Sequence, residues 1–383
     1  MINMKYETKE KIDYFIVFAV FLQSALVILQ AIMIDVFRMD AEATTIYRVI
    51  LSAVPMSLAI ILSFRRNPTM FFITYLIAIL LLLLHTIIFP NNAQYIEKDS
   101  LRFLLPMVIP SALCLITVRN IDFIEKVWYQ ISWIVFAEVL IYALAYFGGL
   151  FFITDYNMSF SYGSLLPMFS LYRKKSKLSV LASLLMFIVV VSIGSRGAAI
   201  IFLAYIVYDV LQNNKRLIIP LLLLLLFALA SLPIIISFLD SIGIQSRTLT
   251  LLETDQIGQS SGRDNLYDIA INTILDNPFI GVGLWGDRVL LNGVYCHNIL
   301  IEIFLNWGIF VGIGIIGLFA LKTLQVYFKS NKVNKNRIII YFLVFIGPLM
   351  ASDSYLTDYD FGIFCGLIYL LYNKKNSVYS ISQ

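Results

Sequence analysis

Long apolar runs dominate the chain, and short charged turns separate them. A helix needs about 20 apolar residues to cross a bilayer. By that measure the pattern predicts spans over 12–33, 46–64, 69–89, 103–118, 127–149, 157–172, 178–194, 197–211, 217–239, 298–322, 338–352 and 358–372, about twelve in all. The expected fold class is all-α, a polytopic integral membrane protein with one membrane domain over 1–383. The first apolar run is too long for a secretory leader and lacks a small-residue cleavage site, so no cleavable signal peptide is expected.

One interval breaks the pattern. Residues 240–297 read as a single large polar loop, Gly/Ser-rich over its first part. The stretch LYDIAINTILDNP then sets Leu266, Ile269, Ala270, Ile274 and Leu275 at helical spacing. Asp264 or Asn265 can cap that helix and Pro278 stops it. An amphipathic helix of this kind is expected to lie along the membrane surface. Gly281, Gly283 and Gly286 follow, marking irregular backbone that approaches something closely.

The composition supports the membrane reading: 60% hydrophobic and 14% charged, where a soluble domain carries roughly a quarter charged residues. Charge placement then orients the chain, because Lys and Arg gather on cytoplasmic loops. With the N-terminus inside, 20 of the 28 basic residues fall on the cytoplasmic face and 8 on the other. Both termini are therefore expected in the cytoplasm. The net charge of +4 follows from this topology and implies no nucleic-acid partner. Cys114, Cys296 and Cys365 have no ligand-like spacing, which supports neither a disulfide framework nor a zinc site.

The far face has its own bias. Seven of its eight basic residues are arginine, against six of twenty inside. Lysine suffices as a topological charge, whereas a planar guanidinium forks onto phosphate or carboxylate oxygens. Three of these arginines stand out. Arg196 lies in Gly194-Ser195-Arg196-Gly197, a tight turn between two short spans where an unpartnered charge is costly. Arg263 sits in Ser261-Gly262-Arg263-Asp264, where pairing with neighbouring acids is the alternative, and Arg288 lies farther along the same loop.

His297 begins the next span, followed at four-residue intervals by Asn298, Glu302 and Asn306, one polar stripe on an apolar helix. A carboxylate inside a span is a functional candidate unless hydrated at the interface. Imidazole can accept a hydroxyl proton near neutral pH, and the alternative is an interfacial histidine satisfied by backbone. Glu138 falls mid-span, as a contact within the bundle or part of a substrate path, and His85 reads as structural.

At these residues the chain resembles the O-antigen ligase/polymerase superfamily, polytopic enzymes that handle undecaprenyl-diphosphate-linked glycans. The shared pattern is Ser195–Gly197 at a turn, then Gly262-Arg263, Asn277-Pro278 and Gly281–Gly283 in a loop, then His297-Asn298 leading a helix with Glu302 and Gly308. It covers roughly 180–325; the first 150 residues match in hydropathy alone. The chain departs from the family's Gly-x-x-Gly step, reading Gly308-Ile-Phe-Val-Gly312.

The resemblance implies a GT-C-like fold and a glycosyltransferase at the periplasmic face of the bacterial inner membrane. It implies that Arg196 and Arg263 bind the lipid diphosphate and that His297 deprotonates the acceptor hydroxyl. Arg288 as a further diphosphate ligand and Glu302 as a catalytic group are added from the residues themselves. No cofactor and no metal are expected, since arginines can neutralise a leaving diphosphate. The expected partners are the undecaprenyl-diphosphate-linked oligosaccharide, the bilayer and a chain-length regulator.

The leading expectation is a Wzy-type O-antigen polymerase, which joins lipid-linked repeat units. The first alternative is an O-antigen ligase acting on lipid A-core. The second is a polysaccharide flippase or transporter, for which repeated halves, and charges or broken helices at the midplane, would be expected. The sequence displays neither beyond Glu138.

Overall fold

The computed structural model describes residues 2–151, 158–220 and 263–380, with two isolated positions at 223 and 237. Nearly all of the span expected over 217–239, and the first part of the polar loop with Arg247, lie outside the described residues.

All regular elements among the described residues are helical. In chain order they are α1 (Ile2–Ala31), α2 (Ala41–Arg66), α3 (Pro68–Ile88), α4 (Ala93–Asp99), α5 (Ile109–Ile116), α6 (Ile121–Phe147), α7 (Met158–Gly163), α8 (Leu165–Arg173), α9 (Lys177–Ile193) and α10 (Arg196–Asn213). Then come α11 (Asp264–Asp276), α12 (Gly286–Leu290), α13 (Ile299–Phe328), α14 (Lys332–Tyr341) and α15 (Tyr359–Ser380). Lys9–Val36, α2, α3, Pro90–Ile116, α6 and α13 are long and apolar enough to cross a membrane. The protein is an all-α polytopic membrane protein.

The chain divides into two compact units. The first comprises Met1–Val20, Met56–Ile121 and Ser260–Gln383. Helix α15 packs on α5 through small residues: a Cβ on Gly366 would come 2.8 Å from the Ala112 carbonyl oxygen, and one on Gly362 closer still to that of Val108. This spacing of small residues lets two backbones meet where lipid supplies no hydrophobic drive for association. At one end of the unit Arg66 pairs with buried Asp13 and donates to the Thr117 carbonyl at 3.2 Å.

The second unit comprises Phe21–Pro55 and Asp122–Gln259. There α8 and α9 form a hairpin tied by Ser183, which donates to the Met168 carbonyl at 2.8 Å, and Phe169, Phe202 and Tyr205 pack into one aromatic cluster.

In the first unit α13 is not one continuous helix. Gly308 has φ 75° and ψ 170°, a backbone region open essentially to glycine, and it interrupts the helix. Two bonds that an unbroken helix would make, from the N–H of 309 to the carbonyl of 305 and from 310 to 306, are replaced. Val282 N–H donates to the Leu305 carbonyl at 2.8 Å and Gly283 N–H to that of Asn306 at 3.2 Å. The N–H groups of Ile309 and Phe310 donate to the Pro278 carbonyl at 2.7 and 3.4 Å. Residues 278–283 are thus spliced into a membrane helix. This is the close approach expected of Gly281 and Gly283. It also corrects the expectation that no span is broken: from 299 to 308 is ~14 Å of helix, near the middle of a ~30 Å hydrocarbon core.

Candidate active site

Three residues of α3 and the turn after it, His85, Phe89 and Asn92, hold the loop against the break. Asn92 donates to the carbonyls of Val282 (2.8 Å) and Leu284 (3.0 Å), and Leu284 N–H donates to His85 Nδ1 at 3.1 Å. The His85 ring lies between Phe89 and Trp307, with centroids 5.7 and 4.8 Å away. This is the structural role expected of His85.

Helix α11 begins at Asp264, but its cap is Arg263, with no side-chain hydrogen bond, rather than Asp264 or Asn265. Its apolar face packs Ala270 and Ile274 with Leu291, Cys296 and Leu305, so the helix rests on α13. Asn277 ends it just before Pro278, because a residue preceding proline is driven out of the helical region.

The chain then turns through His297, whose φ of 54° is left-handed and uncommon for a bulky residue. That turn delivers Asn298 as the cap of α13: its Oδ1 accepts from the N–H groups of Leu300 and Ile301 at 3.0 and 3.3 Å.

Three candidate side chains converge on one short segment between α14 and α15. Asn298 Nδ2 donates to the Met350 carbonyl at 3.1 Å, Arg263 donates to that of Ala351, and His297 Nδ1 lies 2.6 Å from that of Ser352. A carbonyl can only accept, so Nδ1 of the neutral ring carries the proton and Nε2 keeps its lone pair. Burial lowers the His297 pKa from its ordinary value; the Ser352 carbonyl opposes this, and Arg263 and Arg288 add to it. The ring is therefore neutral near pH 7, the state a base requires.

The polar stripe continues along the same segment. Ser354 Oγ donates to Glu302 at 2.5 Å, Tyr355 N–H reaches the other Glu302 oxygen at 3.3 Å, and Asn306 donates to the Tyr355 hydroxyl at 3.1 Å. Arg288 and Glu302, expected as separate agents, are paired. The Arg288 guanidinium binds Asp287 and Glu302 and donates to Ser354 at 2.9 Å, and all three charged residues are at most 3% exposed. Burial alone would lower the Arg288 pKa, but the two carboxylates raise it above its ordinary value. With both carboxylates ionised the cluster carries one net negative charge, which repels rather than draws a diphosphate. The geometry makes it a buried brace.

Arg196 belongs to the second unit. It is half-buried in the first turn of α10, after the tight turn expected from the sequence. The flanking glycines make room for protein: a Cβ on Gly194 would lie 2.5 Å from Ser161 Oγ, and one on Gly197 2.5 Å from the Tyr162 hydroxyl. Ser195 N–H donates to Ser161 at 2.6 Å, and the Ser195 side chain itself makes no capping hydrogen bond to α10. Such a helix start attracts anions.

The segment 350–356 escaped the sequence reading, because most of what it contributes is backbone carbonyl and N–H. Its Ser-Asp-Ser run after Pro348 was the available signal. Asp353 within it is buried, and burial with the nearby Asp358 raises its pKa well above the carboxylate range, against the opposing pull of Arg263. Among the described residues no three His, Cys, Asp or Glu side chains are grouped as metal ligands.

Residues 181–316 match the family model described as O-antigen ligase. Over these residues the chain is similar to the O-antigen ligase/polymerase superfamily. The match takes in Arg196, Arg263, Arg288, His297 and Glu302, whereas the segment 350–356 lies outside it. No curated protein matches the chain. The apolar helices make the chain a multi-pass membrane protein, and the match points to O-antigen processing.

Proposed function

We propose that the protein is a polymerase of the Wzy type, joining lipid-linked repeat units at the periplasmic face of the inner membrane. The acceptor hydroxyl attacks the anomeric carbon of a glycan held on undecaprenyl diphosphate. The bond from that carbon to the phosphate oxygen breaks, and the diphosphate leaves with the electron pair. His297 Nε2 takes the hydroxyl proton, while Arg263 stabilises the departing charge in place of a divalent cation; Arg196, in the second unit, is a separate diphosphate-binding candidate. Arg288 and Glu302 act as positioning residues that hold the loop and the segment 350–356 together.

The observation that carries this reading is the convergence of Arg263 and His297 on adjacent carbonyls of Ala351 and Ser352. A cation and a neutral base with a lone pair thereby stand side by side, as transfer from a diphosphate needs. The description of the family model as O-antigen ligase favours a second reading, transfer to lipid A-core.

Deleting the gene and separating the surface polysaccharide on a gel tests both readings. Single capped units identify a polymerase, absence of capped units identifies a ligase, and an unchanged ladder rejects the two together.

A further inference from the structure

Among the described residues the His297 ring makes one hydrogen bond, from Nδ1 to the Ser352 carbonyl. A single bond fixes one corner of an imidazole and leaves the ring free to swing about it, carrying Nε2 along an arc. A base must keep its lone pair within hydrogen-bond reach of the proton it takes. The plane of the ring therefore needs a second restraint.

Tyr295 supplies one. It and His297 flank Cys296, which is fully buried in the apolar cluster that α11 shares with α13 and pins the backbone between them. The two rings meet with centroids 4.1 Å apart and planes tilted by 47°. Aromatic pairs usually stand ~4.5–7 Å apart, so the imidazole cannot turn without moving the phenol. Tyr295 is held in turn. The Arg288 guanidinium carbon lies 5.3 Å from its centroid, within the ~6 Å reach of a cation over a ring. Arg288 is itself clamped by Asp287, Glu302 and Ser354. Burial, with Asp353 and Asp358 nearby, pushes the Tyr295 hydroxyl up to about 12 against the pull of Arg288 and Arg263, so it stays protonated near pH 7. What Tyr295 brings to His297 is its ring.

We infer that Tyr295 is a positioning residue, which fixes the plane of the His297 ring and ties it to the Arg288 brace. The reaction so served rests on the proposed function. Removing the phenol has two consequences. Nε2 spends less time aligned, and a misplacement of ~1 Å can cost about a hundredfold in rate. Water also reaches the imidazole and relieves burial, the main cause of its lowered pKa. Arg263, Arg288, Asp287 and the Ser352 carbonyl, the other groups that act on it, stay in place, and the pKa moves up toward 6.5.

The test compares Tyr295→Ala with Tyr295→Phe in the full chain in nanodiscs, fed with lipid-linked repeat units extracted from cells lacking the gene. Tyr295→Ala should lower kcat by about ten- to a hundredfold with KM little changed, and raise the acid midpoint of kcat/KM toward 6.5. Tyr295→Phe, which keeps the ring, should restore both. A second readout needs no turnover. The chain has 2 histidines, so a histidine-labelled protein gives two imidazole signals in magnetic resonance, and His297→Ala assigns them. The His297 signal should titrate below 6.5 in the unaltered chain and in Tyr295→Phe, and nearer 6.5 in Tyr295→Ala.

An equal loss of rate in Tyr295→Phe and Tyr295→Ala would overturn the inference, since the hydroxyl would then be the active group. A slower Tyr295→Ala with an unmoved midpoint would also overturn it, by reducing Tyr295 to packing. Should Tyr295→Ala fail to fold, Tyr295→Leu replaces it, and full activity without a flat ring sinks the positioning role. A displaced titration in a protein that transfers nothing rejects the proposed reaction and keeps the contact. Transfer that needs His297 yet ignores Tyr295 rejects the positioning role and keeps the reaction.

Discussion

Replacing Gly308 by alanine tests the spliced helix directly. A Cβ there would lie 2.6 Å from the Pro278 carbonyl oxygen and 2.7 Å from the Phe279 carbonyl carbon. Both are backbone atoms of the inserted segment and cannot rotate aside. Holding alanine at φ 75° and ψ 170° costs about 1–3 kcal/mol. Displacing Pro278 strips the N–H of the partly buried Ile309 of its acceptor, about 1–3 kcal/mol more. The expected loss is therefore about 2–6 kcal/mol. It is read as a lower midpoint on SDS titration of the purified protein, with faster amide exchange at Val282, Gly283 and Ile309. Gly314→Ala is the control, since a Cβ there meets nothing within 4 Å. Unchanged unfolding and exchange in Gly308→Ala would refute the splice as a load on stability.

The other expectations concern chemistry. His297→Ala should slow transfer by about 10²–10⁴-fold in a reconstituted assay, and unchanged turnover would remove it as the base. Because the His297 pKa is lowered, kcat/KM should rise with pH through a midpoint below 6.5 and level off above it. Stability should fall as the pH drops below 6.5, where the unfolded histidine binds the proton first. An acid midpoint at or above 6.5 contradicts that environment, and Arg263→Gln should move it upward. Arg196→Ala or Arg263→Ala should abolish long chains on a polysaccharide gel while the protein still inserts; a normal ladder counts against diphosphate binding. Arg288→Ala should destabilise by about 3–5 kcal/mol, since it strands two buried carboxylates, and a neutral result would show the brace is not needed.

Hydropathy located several helices within a few residues: 69–89 is Pro68–Ile88, 178–194 is Lys177–Ile193, and 298–322 begins at Ile299. Period and charge suffice there because lipid demands apolar helices whatever the tertiary contacts. The polar stripe of Asn298, Glu302 and Asn306 was legible for the same reason, as a helical period. Its target was not. The segment 350–356 answers each of those side chains in turn, half of the time through backbone groups that every residue type carries. The span expected over 338–352 fails similarly: α14 stops at Tyr341 and gives way to a wider turn at Phe342–Ile346 and a tight one at Pro348–Met350. The pairing of Arg288 with Glu302 and the meeting of Gly308 with Pro278 join positions distant in sequence, and no local pattern announces either.

The insert at Gly308 also bears on how the protein is made. A transmembrane segment usually enters the bilayer as a self-sufficient unit, its amides all paired within itself. Residues 299–328 cannot, because their interrupted middle depends on donors and acceptors from 278–283. Those residues precede them in the chain, so the complement is already synthesised when the segment leaves the ribosome. Order of translation here matches order of need, and moving that segment to follow the span would leave its centre waiting, unpaired, in hydrocarbon.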